Sequence, residues 1–317
     1  MAISHSPLPI VPSLWQSCTD GGGELFGDVA VPPSEESLIK IVKTLNGLPS
    51  LPDVVYRVME LVHDPDSTVP QIVETLLMDQ AMTAKILRVA NSAYYGFVRE
   101  ISTVTQAVAV LGKNDIADHV ISSALCGFLN TQGPGLFDRR ALWEYSLACA
   151  QCTRILLRLS SQPNERAYIC ALLHDIGQLV IDEVFPQEHD RVLSLAQEKG
   201  WPIECAERKV LGVDHAFVGG MVALHWNFPP VLVDAIGNHH ATTDHLQAGS
   251  TELQLRCLLD LSDRIVRAAG IGMNHDHTTP EIPEEMWFPL GLNATHREKV
   301  TNALSVAMGK LSGLILT

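Results

Sequence analysis

In "ALLHDIGQLV", residues 171–180, a histidine and an aspartate stand side by side in an otherwise apolar run. Burying such a pair costs free energy unless each polar group finds a partner, so it either ligates a metal ion or is closed off by other protein groups. Companions follow: Asp214-His215 in "GVDHAFVGG", His239-His240 in "AIGNHHATTDH" and Asp263 in "LLDLSDRIV". Neighbours on a helix point about 100° apart, which suits one metal held by both, or two metals sharing Asp175 as a bridge. Imidazole with carboxylate favours Fe, Mn, Zn or Ni over Ca or Mg. His174, Asp175, His215, His239, His240 and Asp263 are therefore the candidate metal ligands, expected to surround one pocket. His119 and His225, alone in apolar stretches, are instead expected to be core residues bonded to backbone carbonyls. His275 and His277 fall in a proline-containing loop and read as solvated.

The elements that must position these residues are helices. Ser34 is placed to cap one whose apolar stripe is Leu38, Ile41, Val42 and Leu45, with Asn46-Gly47 as its stop. Asp53 opens another with Val55, Val58, Met59 and Val62 on one face; Thr68 and Asp79 precede two more, and Asn114 opens a fifth through Ile116, Val120, Ile121 and Phe128. No stretch alternates with period two for long enough to make a sheet, so the fold class is all-α, built as two packed helical subdomains. Residues 1–33, with five prolines and a Gly21-Gly22-Gly23 triplet, read as a flexible leader. A first bundle is expected over 34–135, a histidine-bearing block over 136–270 after the turn-rich "NTQGPGLFD", and an irregular connection with a final helix over 271–317.

Composition narrows the function. The 317 residues carry a formal net charge of −14, so the chain has no basic field with which to draw in a nucleic-acid backbone. No apolar run reaches the roughly 20 residues that span a bilayer. Seven cysteines, an odd number lying mostly in apolar periodic stretches, imply a reducing cytoplasm. Cys149 and Cys152 form a C-x-x-C inside a helical pattern and are expected to be core packing.

"ALLHDIGQLV" followed by "DHAFVGGMVALHWNFPPVLVDAIGNHH" resembles the HD superfamily of metal-dependent phosphohydrolases. With "LPSLPDVVYRVMELVHD", "MDQAMTAKILRVANSAYYG" and "ISTVTQAVAVLG", the chain is more specifically similar to the HDOD subgroup, output domains of bacterial signalling proteins, over roughly residues 37–265. The hydrolases supply a histidine from the helix before the HD pair; the matching place in "LWEYSLACA" holds Tyr145. Where they often carry a phosphate-meeting lysine, this chain has Gln178, and "HHATTDHLQAG" lacks the G-Y-P element of the cyclic dinucleotide phosphodiesterases. The resemblance implies a non-enzymatic regulatory scaffold with a degenerate HD site, holding a divalent metal weakly or partially, and binding cytoplasmic signalling proteins or a small ligand. The acidic charge and the lack of a long apolar run set aside nucleic acid and membrane as partners, and a homodimer is left open. The alternative is an active phosphohydrolase on a nucleotide or cyclic dinucleotide. Tyr94, Tyr95 and Trp143 are candidates for a partner cleft between the two blocks.

Overall fold

The computed structural model describes residues 34–48, 50–92, 94–129, 135, 137–160, 164, 166–241, 243, 246–247, 249–272 and 280–315. The leader, His275 and His277, and most of the "NTQGPGLFD" joint lie outside them. Among the described residues the regular structure is entirely helical.

Five short helices form the first group: α1 (Glu35–Gly47), α2 (Asp53–His63), α3 (Val69–Leu77), α4 (Gln80–Ala90) and α5 (Val104–Leu111), followed by the longer α6 (Lys113–Leu129). Local chemistry sets their ends. Ser34 Oγ accepts from the Ser37 amide at 3.0 Å and an Asp79 carboxylate oxygen from the Met82 amide at 2.9 Å, each satisfying a donor that a helix start leaves open. The α2 cap is Pro52, with Asp53 as the first helical residue, so this carboxylate favours the helix by its charge near the positive end of the dipole. Asn91 ends α4 and also closes the loop beyond it: its amide donates to Ile101 O at 2.8 Å, and its Oδ1 accepts from the Ile101 amide at 2.7 Å. Gly112, at φ 87°, makes the α5–α6 corner in a backbone region that β-carbon-bearing residues avoid.

The remaining helices are α7 (Arg139–Ser160), α8 (Ala167–Leu173), α9 (Ile176–Val184), α10 (Pro186–Lys199), α11 (Ile203–Leu211), α12 (His215–His225), α13 (Pro230–Gly237) and α14 (Thr251–Ala268). A 3-10 turn over Glu284–Leu290 then leads into α15 (His296–Ile315). The long α7 is the axis: α6, α8, α14 and α15 all pack on it. Although α1 was expected within the first bundle, it lies against α9 and α12. Its stripe is as read, with Ile41 and Leu45 fully buried, but an apolar stripe does not say which surface covers it. Buried apolar side chains from both blocks join in one continuous core.

The two blocks meet at a polar network between α6 and α7. Arg154 donates to Asp118 at 2.6 Å, stands 3.7 Å from Asp115 and lies over the Tyr168 ring. His119 does not bond a backbone carbonyl as expected; its Nε2 meets the Tyr95 hydroxyl at 2.6 Å, and that hydroxyl also lies 3.1 Å from Asp115. Tyr94 and Tyr95 are thus tied into the junction, and Trp143 is buried, so it does not line an open cleft.

Candidate metal centre

His174 and Asp175 occupy the break between α8 and α9. Asp175 stands at the N-cap of α9, where an aspartate usually accepts from its own helix, but its side chain makes no capping bond. The carboxylate faces three imidazoles instead: Oδ2 lies 3.5 Å from His174 Nε2, while Oδ1 lies 3.1 Å from His215 Nε2 and 3.6 Å from His239 Nε2. His174, Asp175 and His215 are 1%, 7% and 1% exposed, and the cluster reaches solvent at His240.

Glycine brings the two halves together. A β-carbon on Gly177 would stand 2.0 Å from the His215 carbonyl oxygen and 2.7 Å from the Gly219 amide nitrogen. Only a residue without one lets α9 cross α12 closely enough to set Asp175 beside His215.

Each ring is fixed from behind. His174 Nδ1 lies 2.8 Å from Ala171 O, and His239 Nδ1 2.7 Å from Ile236 O. A carbonyl only accepts, so both Nδ1 atoms carry a hydrogen, and both Nε2 atoms face inward toward the Asp175 carboxylate. Those two Nε2 atoms are buried and have no hydrogen-bond partner. His215 Nδ1 meets Glu207 Oε2 at 2.6 Å, and the same oxygen accepts from the His215 amide at 2.8 Å. Backbone carbonyls and a carboxylate behind inward-facing imidazoles are the arrangement that orients histidine ligands in metal sites.

Burial works against charge here, but Glu207 and Asp175 together overcome it and hold the His215 imidazole protonated well above its ordinary range. Burial likewise opposes ionisation of Asp175, yet His174 and His215 keep its carboxyl well below the usual carboxylate range.

His240 Nε2 lies 2.8 Å from His215 Nε2, and donor atoms of His215, His239 and His240 fall within 4.8 Å of one another. A second group of the same tightness comprises Cys149, His174 and Asp263. Tyr145 donates to Asp263, whose other oxygen is 3.4 Å from Arg267. His174, His215 and His239 thus surround Asp175, with His240 joined to them through His215 and Asp263 grouped with His174 beside the buried Tyr145. Asp214 behaves differently from its neighbour: it caps α12 through the Phe217 amide and pairs with Arg208.

Sequence reasoning overlooked Glu207 and Arg256. Arg256 is buried and donates to the carbonyl of Asn238, steadying the segment that bears His239 and His240. Glu207 was detectable, since it lies four residues from both Ile203 and Leu211, on the buried stripe of α11. Gln178 is buried, with its carbonyl oxygen unpartnered.

The HDOD domain model matches residues 48–242. The chain belongs to the HDOD domain family. Among solved structures, an inferred signal transduction protein from Marinobacter aquaeolei VT8 superposes with a TM-score of 0.71 at 19% identity, over 96% of this chain and 64% of the other. An inferred phosphohydrolase from Shewanella amazonensis SB2B superposes at 0.64 with 26% identity, over 86% of this chain and 97% of its own. An uncharacterized protein of Treponema pallidum (strain Nichols) is 23% identical over 205 residues, 63% of this HDOD chain. That stretch spans only 39% of the Treponema protein. Among the described residues no helix is long and apolar enough to cross a membrane.

Proposed function

We propose that this HDOD chain is a bacterial signal-transduction protein whose HD-like centre binds a divalent metal, and that it acts by contact with cytoplasmic signalling proteins or a small ligand instead of by turnover. The observation that carries the metal is the pair of buried, unpartnered Nε2 atoms of His174 and His239 aimed at Asp175. Rigid imidazoles whose Nε2 atoms face an ionised carboxylate without a hydrogen-bond partner, and which coordinate once deprotonated there, fit a borderline divalent ion such as Fe, Mn, Zn or Ni. His174, Asp175, His215, His239, His240 and Asp263 would hold it.

When bound, such a cation supplies Lewis acidity toward a phosphate oxygen. The protein's own contribution to hydrolysis is weak. Gln178 offers a neutral amide where the hydrolases carry a cation, and the Tyr145 phenol engages Asp263. One lost electrostatic donor can cost about 100–1,000-fold in rate. The competing reading, a phosphohydrolase on a nucleotide or cyclic dinucleotide, draws on the two faces of Asp175, which suit a bridge between two ions, and on the Shewanella neighbour's name.

The test is product release from cyclic di-GMP and a simple phosphodiester with Fe(II), Mn(II) or Ni(II) added anaerobically, beside metal analysis of the same protein. Metal retention without turnover is expected. Turnover at several per second that vanishes in His174→Ala/Asp175→Ala would overturn the scaffold reading in favour of the hydrolase.

A further inference from the structure

We propose that Cys149 is a metal ligand, and that with His174 and Asp263 it forms a thiolate-bearing cation position on the far side of Asp175 from His215, His239 and His240. The inference rests on reading the centre as a metal site and deepens it. Positions 145 and 149 are one turn apart on α7 and share a face. Tyr145 occupies the nearer place with a phenol committed to Asp263, while Cys149 carries its sulfur to the same neighbourhood one turn further on. The donor atoms of Cys149, His174 and Asp263 lie within 4.8 Å of one another, close enough for a single ion to take all three.

A buried cysteine is by default a small hydrophobe, and Cys152, deep in the core on the same helix, needs no other description. What sets Cys149 apart is the company it keeps. His174 is 1% exposed, its tautomer is fixed by Ala171 O, and its Nε2 has no hydrogen-bond partner. That nitrogen and the thiol belong to the same three-residue group. Gly272, at φ 73°, packs on α7 one turn before Cys149: a β-carbon there would lie 2.7 Å from the backbone nitrogen of Tyr145.

On binding, the thiol gives its proton to solvent and the sulfur coordinates as thiolate. A sulfur, an imidazole and a carboxylate make a softer set than the all-nitrogen and oxygen group across Asp175, and they favour Zn(II), Co(II) or Fe(II) over Mn(II) and Mg(II).

Cobalt titration of the full chain tests this. Visible d–d bands report that cobalt binds the centre, and a near-ultraviolet sulfur-to-cobalt band reports Cys149. Wild type should develop both. Cys149→Ser should lose the sulfur band, keep the d–d bands, and bind cobalt at least the 10–100-fold more weakly that losing an outer-shell partner already costs; Cys152→Ser should change neither. Should Cys149→Ser fail to fold, zinc-edge X-ray absorption on wild type decides the matter, with one sulfur expected at about 2.3 Å. Bound metal with no sulfur, or a sulfur band that survives in Cys149→Ser, overturns the inference and leaves the metal centre standing. Absence of every cobalt band overturns both.

Discussion

Two buried polar clusters lie on either side of α7, and they are finished differently. In the junction network the charges are paired: Arg154 donates to Asp118, its other terminal nitrogen stands 3.7 Å from Asp115 without a hydrogen bond, and His119 meets Tyr95. Around Asp175, by contrast, three imidazoles crowd one carboxylate, and the inward Nε2 atoms of His174 and His239 are left without a hydrogen-bond partner. Burial of polar groups is common to both and so distinguishes nothing. A cluster whose groups consume one another holds the protein together, whereas one that keeps rigid, unsatisfied donor atoms pointed at a common centre is built for something else to enter.

The contrast is broken most directly at Arg154. Arg154→Met strands Asp118 in the interior and should cost about 3–5 kcal/mol in urea unfolding, while adding Asp118→Leu should recover much of it. A loss below about 1 kcal/mol would mean that the network is not structural. His239→Ala should do the opposite, lowering metal affinity by more than about 100-fold while leaving the metal-free protein within about 1 kcal/mol of wild type, by calorimetric titration and unfolding respectively.

Acid should separate the clusters as well. Burial, reinforced by Arg154, drives the His119 pKa from 6.5 down to about 3. Arg154, Asp115 and Tyr95 face the ring. The folded state therefore takes up fewer protons than the unfolded one between those values. Stability is whole above the unfolded value and drains as pH falls, by about 2 kcal/mol at about pH 5. His119→Gln should flatten that slope in unfolding curves taken across the window, and an unchanged slope would place the acid sensitivity elsewhere. A smaller effect is expected at Glu207→Gln, which leaves every ligand in place but should weaken metal binding about 10–100-fold, read by competition with a chelating dye.

The contrast also explains what the sequence could show. His174, Asp175, His215 and His239 announced themselves because polar residues in apolar runs are anomalous wherever the chain goes. Glu207 did not, since a carboxylate among "ECAERKV" reads as surface until its spacing from Ile203 and Leu211 is counted. Cys149 was passed over because cysteine in a helical stripe is ordinary packing; its meaning depends on Asp263, more than a hundred residues away. The position of α1 was hidden for a related reason. Its stripe predicts burial correctly and names no partner, and the contact with α9 and α12 is non-local.

Gly177 acts as a spacer whose value lies in the methyl group it lacks. The dipeptide His174-Asp175 could be spelled intact in a chain with alanine at the next position but one, and every ligand letter would still be present. The α9–α12 crossing would then have to widen, because the added carbon would sit 2.0 Å from the His215 carbonyl. Asp175 would be carried away from His215, and the motif would survive as text after the site had gone. In this chain the glycine, more than the histidine and aspartate it follows, is the letter that certifies the others are within reach of each other.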